Sequence, residues 1–184
     1  MGRLVYTTIC SLDGYVADAS GSFEWAAPDA EVHQFVNDLE RGVGTMLCGR
    51  RLYEVMRYWD TAPSDDPESV GDDYARVWQA TDKVVYSTTL EAVSAPRTRL
   101  ERSFDPAAVK AWVREHTDDV SVGGPSLAAQ ALRAGVVDEV SMFRVPHVVG
   151  GGTPILPADV RLDLRLRDSR TFGNGTTYAR YDVL

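Results

Sequence analysis

The chain has 184 residues, 44% of them hydrophobic, 25% charged and 9% aromatic, with a formal net charge of −8. This length fits one domain, residues 1–184, and the composition excludes a disordered or collagen-like chain. The acidic balance disfavours nucleic acid and acidic membrane surfaces as partners, because both are polyanions.

The N-terminal stretch carries no basic leader followed by a long apolar run, and no apolar run approaches the ~20 residues a membrane helix needs, so the expected compartment is the cytoplasm. Arg3–Ser11 is rich in β-branched residues and reads as a buried strand. Leu12–Gly21, with two glycines and two aspartates, reads as a loop. Pro28 and Asp29 open a helix to about Glu40, whose buried face is Val32, Phe35, Val36 and Leu39. Gly42 and Gly44 end it. Thr45–Cys48 is a short strand, and Gly49 begins a helical turn, GRRLYEVM. Thr61–Asp73 is polar and acidic with two prolines, which predicts a surface loop before a short helix over Asp73–Gln79. Lys83–Ser87 and Thr98–Ser103 read as strands. Pro106–His116 reads as a helix with Val109, Trp112 and Val113 inward. Val120–Val122 is a strand and Pro125–Ala134 the helix after it. Val137–Val149, Arg161–Ser169 and Thr176–Val183 are β-type runs with no helix between them.

Strand and helix alternate over three quarters of the chain, and strands dominate the last quarter. The expected fold class is α/β: one central, mostly parallel mixed sheet with a C-terminal antiparallel hairpin. The two cysteines, Cys10 and Cys48, lie in apolar runs and read as buried free thiols.

Several chemistries lack their residues. The three histidines, His33, His116 and His147, are far apart, and there is no HExxH, no CxxC and no HxE with PCxxC, which argues against a zinc site. GxSxG, GxxxxGK[ST] and GxGxxG are also missing.

Three motifs remain, each just past the end of a predicted strand, where ligands bind in open α/β sheets. In VSVGGPSLAAQAL (Val120–Leu132) a strand runs through Gly123 and Gly124 into a helix N-terminus, whose unpaired N–H groups and dipole favour an anion. Gly-Gly also ends strands for steric reasons. In CGRRLYE (Cys48–Glu54), Gly49 is followed by Arg50 and Arg51 in the first helical turn. There their charge opposes the dipole, and a bound phosphate or a surface pairing with Glu54 accounts for them. In VVYSTT (Val84–Thr89) a strand ends in hydroxyls, which serve a phosphate, a ribose or a turn equally well.

These pieces, with SLDGYVA at Ser11–Ala17, Trp25-Ala-Ala-Pro28 and the run Val137–Leu156, make the chain resemble the dihydrofolate reductase-like superfamily. It is most similar to stand-alone relatives of the reductase domain of riboflavin-biosynthesis deaminase–reductases. The resemblance implies a sheet of about eight strands, NADPH across its C-terminal edge, and a homodimer. By the same resemblance Gly49, Arg50, Arg51, Ser87 and Thr88 hold the adenosine 2′-phosphate. Gly123, Gly124, Ser126 and Leu127 hold the pyrophosphate, and Ile9 and Ser11 flank the nicotinamide. Dihydrofolate reductases place a buried acid five residues after the tryptophan of W-x-x-P; here that position is Ala30, flanked by Asp29 and Glu31. The candidate acids are then Asp13, Asp29 and Glu31, and Trp25 and Tyr53 are candidate substrate contacts. No metal is expected. The implied function is an NADPH-dependent pyrimidine or pterin reductase acting on a small heterocycle. The alternatives are a non-catalytic NADPH- or ligand-binding protein on the same fold, and a dihydrofolate reductase proper.

Overall fold

The computed structural model describes residues 1–62, Asp66 and 68–184. Its main sheet has eight strands: β1 Leu4–Cys10, β3 Val43–Gly49, β4 Asp82–Tyr86, β5 Thr98–Glu101, β6 Asp119–Gly123, β7 Glu139–Arg144, β9 Leu164–Thr171 and β10 Thr177–Val183. Their order is β5-β4-β3-β6-β1-β7-β10-β9. The first six run parallel, and β10 is antiparallel to both β7 and β9, which supplies the expected C-terminal hairpin. A two-stranded ribbon, β2 Tyr15–Ala17 with β8 Thr153–Pro154, stands apart.

The helices are α1 Ala30–Glu40, α2 Arg50–Met56, α3 Val70–Ala80, α4 Pro106–Glu115 and α5 Pro125–Arg133. They cover both faces of the parallel part, as right-handed crossovers require. On one face α4 and α5 pack Val109, Val113, Leu127, Ala128, Ala131 and Leu132 against Leu4, Val120, Val122 and Val140. On the other, α2 and α3 set Tyr53, Tyr74 and Trp78 against Met46, Cys48 and Val85, and α1 sets Val32 against Phe143 and Tyr178. Leu47 and Val84 belong to the first face, Cys48 and Val85 to the second. That period of two, with both sides apolar, is why these strands read as continuous hydrophobic runs.

Local differences from the sequence reading have physical causes. The loop expected over Leu12–Gly21 contains β2, three residues long and thus too short for a periodicity to mark it. Helix α3 begins at Val70, not Asp73. Ser69 caps it by accepting from the Asp72 N–H at 3.1 Å, and Asp72 and Asp73 sit favourably in its first turn. The rest of the loop expected over Thr61–Asp73 lies partly outside the described residues. Strand β7 stops at Arg144, before Pro146, and β9 starts at Leu164 rather than Arg161. Trp112 is only partly buried, behind Val109 and Val113. Both cysteines are free and buried, as expected. Among the described residues no helix is long and apolar enough to cross a membrane.

Candidate functional site

Parallel strands align their C-terminal ends. Glu101 pairs with Tyr86, Tyr86 with Gly49, and Cys48 with Gly123; two strands further on, Cys10 pairs with Arg144. The three motifs and the end of β1 therefore lie side by side on four consecutive strands, β4, β3, β6 and β1. Arg50 and Arg51 open α2 on this edge, and both are exposed. Arg50 reaches Glu54 at 3.3 Å, while Arg51 has no ion pair among the described residues.

The glycine pair has two separate duties. A Cβ on Gly123 would lie 2.3 Å from Leu52 Cδ2, so the residue is small because α2 packs onto β6 there. Gly124 caps α5 with φ +86, and a Cβ there would stand 3.7 Å from the Gly49 nitrogen. The starts of α2 and α5 are thus neighbours. Pro125 brings no N–H, and the Leu127 N–H bonds to the Gly124 carbonyl at 3.1 Å. Leu127 itself is buried, which leaves exposed Ser126 to face outward from this turn.

Ser87 Oγ accepts from the Thr89 and Leu90 N–H groups at 3.2 and 2.9 Å, which winds a turn with Thr88 exposed on it. The sequence reading missed Arg102. Its guanidinium donates to the carbonyls of Ser87, Leu90 and Glu91 at 3.1, 2.5 and 3.3 Å. Nothing in the local pattern marks it, because its closeness to Ser87 follows from β4 pairing with β5. Arg144 ends β7 opposite Cys10 on β1, where its charge opposes the rise that burial imposes on the Cys10 thiol.

At the β1 end, Ile9 is partly buried against the α1 face, and Ser11 is fully buried with Oγ accepting from the Tyr15 N–H at 2.9 Å. Asp13 is exposed, yet its carboxylate accepts from the Val149 and Gly150 N–H groups at 3.2 and 2.8 Å. The Ser11 hydroxyl above all, then those amides, hold the carboxyl below its ordinary range. Asp29 caps α1 by accepting from Val32 at 3.0 Å. Glu31 pairs with Arg170 at 2.7 Å and accepts from the Gly173 N–H at 3.1 Å. Trp25 is half-buried in a 3₁₀ turn, Glu24–Ala26, and donates Nε1–H to the Ser22 carbonyl. Tyr53 is not on the edge: it is buried in the α2–α3 core, where burial raises its hydroxyl pKa.

A groove of about 680 Å³ lies at the opposite edge, lined among others by Glu40, Arg41, Asp73, Asp82, Arg97 and Asp118. Its Arg41 and Arg97 are already paired, with Asp73 and Asp82, so it offers an anion less than the C-terminal edge does. Among the described residues no cluster of three or more His, Cys, Asp or Glu could hold a metal ion.

Comparison with known proteins agrees with this geometry. The chain is 24% identical over 182 residues to the uncharacterized protein YyaP of Bacillus subtilis (strain 168), covering 97% of this chain and 94% of that one. A putative riboflavin biosynthesis protein from Shewanella sp. PV-4 superposes with TM-score 0.76 at 20% identity over 99% of both chains. A pyrimidine reductase-like protein from Corynebacterium diphtheriae gives 0.70 at 16%, over 100% of this chain and 92% of that one. Dihydrofolate reductase from Enterococcus faecalis, complexed with NADP(H), gives 0.63 at 12%, over 99% and 96%. The fold is thus dihydrofolate reductase-like, as expected. The RibD C-terminal domain model matches residues 3–178, nearly the whole length, and the chain belongs to the RibD C-terminal domain family.

Proposed function

We propose that this protein is an NADPH-dependent reductase of a small heterocycle, a pterin, a ribosylamino-pyrimidine or a related ring. The observation that carries the reading is the contiguous edge of β4, β3, β6 and β1, where hydroxyls, arginines and a positive-φ glycine line up in the order an extended dinucleotide needs. The residues suit the group. Arg51 is exposed and without an ion pair among the described residues, Gly124 lets backbone come close, and Ser126 faces outward. Bound there, NADPH would supply the hydride. The chain's own work is to bind and orient: Arg50, Arg51, Ser87 and Thr88 at the adenosine end, Gly123, Gly124 and Ser126 at the middle, Ile9 at the ring end. Family membership and the names of the Shewanella and Corynebacterium proteins lend support.

Thermal unfolding with and without NADPH tests binding, since ligand at about a hundred times Kd adds about 2.7 kcal/mol. Loss of NADPH absorbance across pterins, flavins and ribosylamino-pyrimidines tests turnover. No stabilisation by NADPH, NADH or FAD at millimolar concentration would end this reading. A second reading, NADPH binding without turnover, is favoured by Ala30 and by the structural engagement of Asp13, Asp29 and Glu31. It predicts tight binding with no oxidation on any of these rings.

A further inference from the structure

The groove at the N-terminal edge of the sheet has no part in the reductase reading. Three helix ends wall it: Glu40 and Arg41 close α1, Ala80 and Thr81 close α3, and His116 caps α4. Helices that return between parallel strands point their C-termini to this edge, so the negative ends of three dipoles meet there. The arginines of the groove are spent. Arg41 pairs with Asp38 and Asp73, Arg76 with Asp72 and Asp73, and Arg97 with Asp82. Asp118 has no hydrogen bond or ion pair among the described residues. Its carboxylate lies over Gly44, where a Cβ would stand 3.2 Å from Oδ2, so the glycine leaves the space that the carboxylate occupies. His116 donates Nδ1–H to the Trp112 carbonyl at 2.8 Å, since a carbonyl only accepts, and Nε2 is left as an acceptor. Glu40 forms part of the floor. The residue reaches the surface in part, yet its Oε2 is sealed and meets no donor among the described residues.

We propose that this groove binds an organic polycation, an aliphatic polyamine, with Asp118 as the carboxylate at its surface and Glu40 as the carboxyl beneath. The unmatched groups are acceptors beside helix C-termini, and an ammonium brings a positive charge with up to three N–H donors. Among the described residues no cluster of three or more His, Cys, Asp or Glu could hold a metal ion, which leaves an organic cation as the occupant. Burial raises the Glu40 carboxyl to about 7, and a cation within about 4–6 Å favours its ionised form, so binding expels a proton and tightens as pH rises. Of the ionisable groups on the elements packed about Glu40, Cys48 and Tyr74 are held neutral by burial, while Arg41, Asp73 and Arg76 pair with one another. The His116 imidazole is the other group to be separated from Glu40 in this pH range.

The test is calorimetric titration of the full-length protein with spermidine, and with MgCl2 at matched ionic strength, at about pH 6 and about pH 8 and in buffers of different ionisation heat. The variants are Asp118→Asn, Glu40→Gln and Glu24→Gln, each first shown folded by circular dichroism. Glu24 is an exposed acid just before the other end of α1 and serves as the control. The wild type should bind spermidine more tightly at the higher pH, release a proton on binding and shift the Gly42 and Gly44 amide resonances. Asp118→Asn should weaken binding by about threefold or more, and Glu24→Gln by much less. Glu40→Gln should bind without the proton release. No binding at millimolar spermidine overturns the site. Equal losses from Asp118→Asn and Glu24→Gln would mean attraction to the net charge of −8 alone, and overturn it too. Magnesium binding as tightly as spermidine overturns the polyamine class. Proton release that persists in Glu40→Gln belongs to His116 and removes Glu40 from the site.

Discussion

Two residues on the candidate edge carry meanings that their neighbours in space supply. Gly124 adopts φ +86 and ψ 123, a region open to glycine and costly for other residues, so Gly124→Ala should lower stability by about 1–3 kcal/mol in urea denaturation and weaken NADPH binding as well. Gly123 has no such constraint. Its replacement by alanine should act through Leu52, whose Cδ2 a Cβ would meet at 2.3 Å. Asp13 is the other case. A carboxyl held below its ordinary pKa stays ionised near neutral pH, and it ties the Ser11–Gly14 loop to the Val149 and Gly150 amides, the latter across 137 positions of chain. A depressed pKa means that this tie is intact above the ordinary aspartate range and is lost as acid protonates the folded form. If activity is found, Asp13→Asn should raise KM and leave the neutral limb of the pH–kcat profile in place. Disappearance of that limb would return Asp13 to the proton-transfer role.

At the scale of elements, α1 shows how much a helix pattern reveals. Val32, Phe35, Val36 and Leu39 recur at its spacing and do face the core. The same pattern is silent on Glu40, the last residue, because burial there depends on the sheet beside it. Glu40 Oε2 is sealed from solvent with no hydrogen-bond partner among the described residues, and burial raises the carboxyl from 4.5 to about 7. The folded protein therefore keeps a proton that the unfolded chain releases, and stability falls as pH rises from 4.5 to about 7. At 1.36 kcal/mol per unit this amounts to about 3 kcal/mol. Glu40→Gln should equal wild type near about pH 5 and exceed it near about pH 8 in urea melts; an equal gap at both would show the carboxyl is not held protonated. Helix α1 is also tied to the C-terminal hairpin, where Arg170 stacks on Phe172 and Phe35 at 4.6 and 5.2 Å while pairing with Glu31. Both charged groups are partly exposed, so a double-mutant cycle on Arg170 and Glu31 should return a coupling below about 1 kcal/mol.

Across the whole molecule the charges are sorted by sheet edge. Asp82, Asp118, Asp119, Asp138, Glu139 and Asp163 stand at or just before strand starts on one edge, where Arg3 and Arg97 meet some of them. Arg50, Arg51, Arg102 and Arg144 stand at strand ends on the other. A chain with a net charge of −8 thus gathers four arginines on its C-terminal edge, beside Glu54 and Glu101. Near such an edge the local field outweighs distant carboxylates, since the Debye length is about 10 Å at 0.1 M salt and about 3 Å at 1 M. The association rate of NADPH, followed by stopped-flow fluorescence, should fall as salt is added across that range; a rise would mean that the global charge governs approach.

The eight strands of the main sheet, the five helices and the α/β class were legible in the residues because side-chain periodicity is a local property of φ and ψ, whereas the short β2 and β8 were not. The three phosphate-friendly strand ends were legible as well, since Gly-Gly before a helix, paired arginines after a glycine and terminal hydroxyls are each a few residues long. Adjacency is not local. That β5 lies beside β4 and brings Arg102 to Ser87, that Leu52 fills the space over Gly123, that Tyr53 turns into the core and that Asp13 reaches Val149 and Gly150 all follow from strand order and packing. Those contacts join residues far apart in the chain, and no pattern within a window of sequence encodes them.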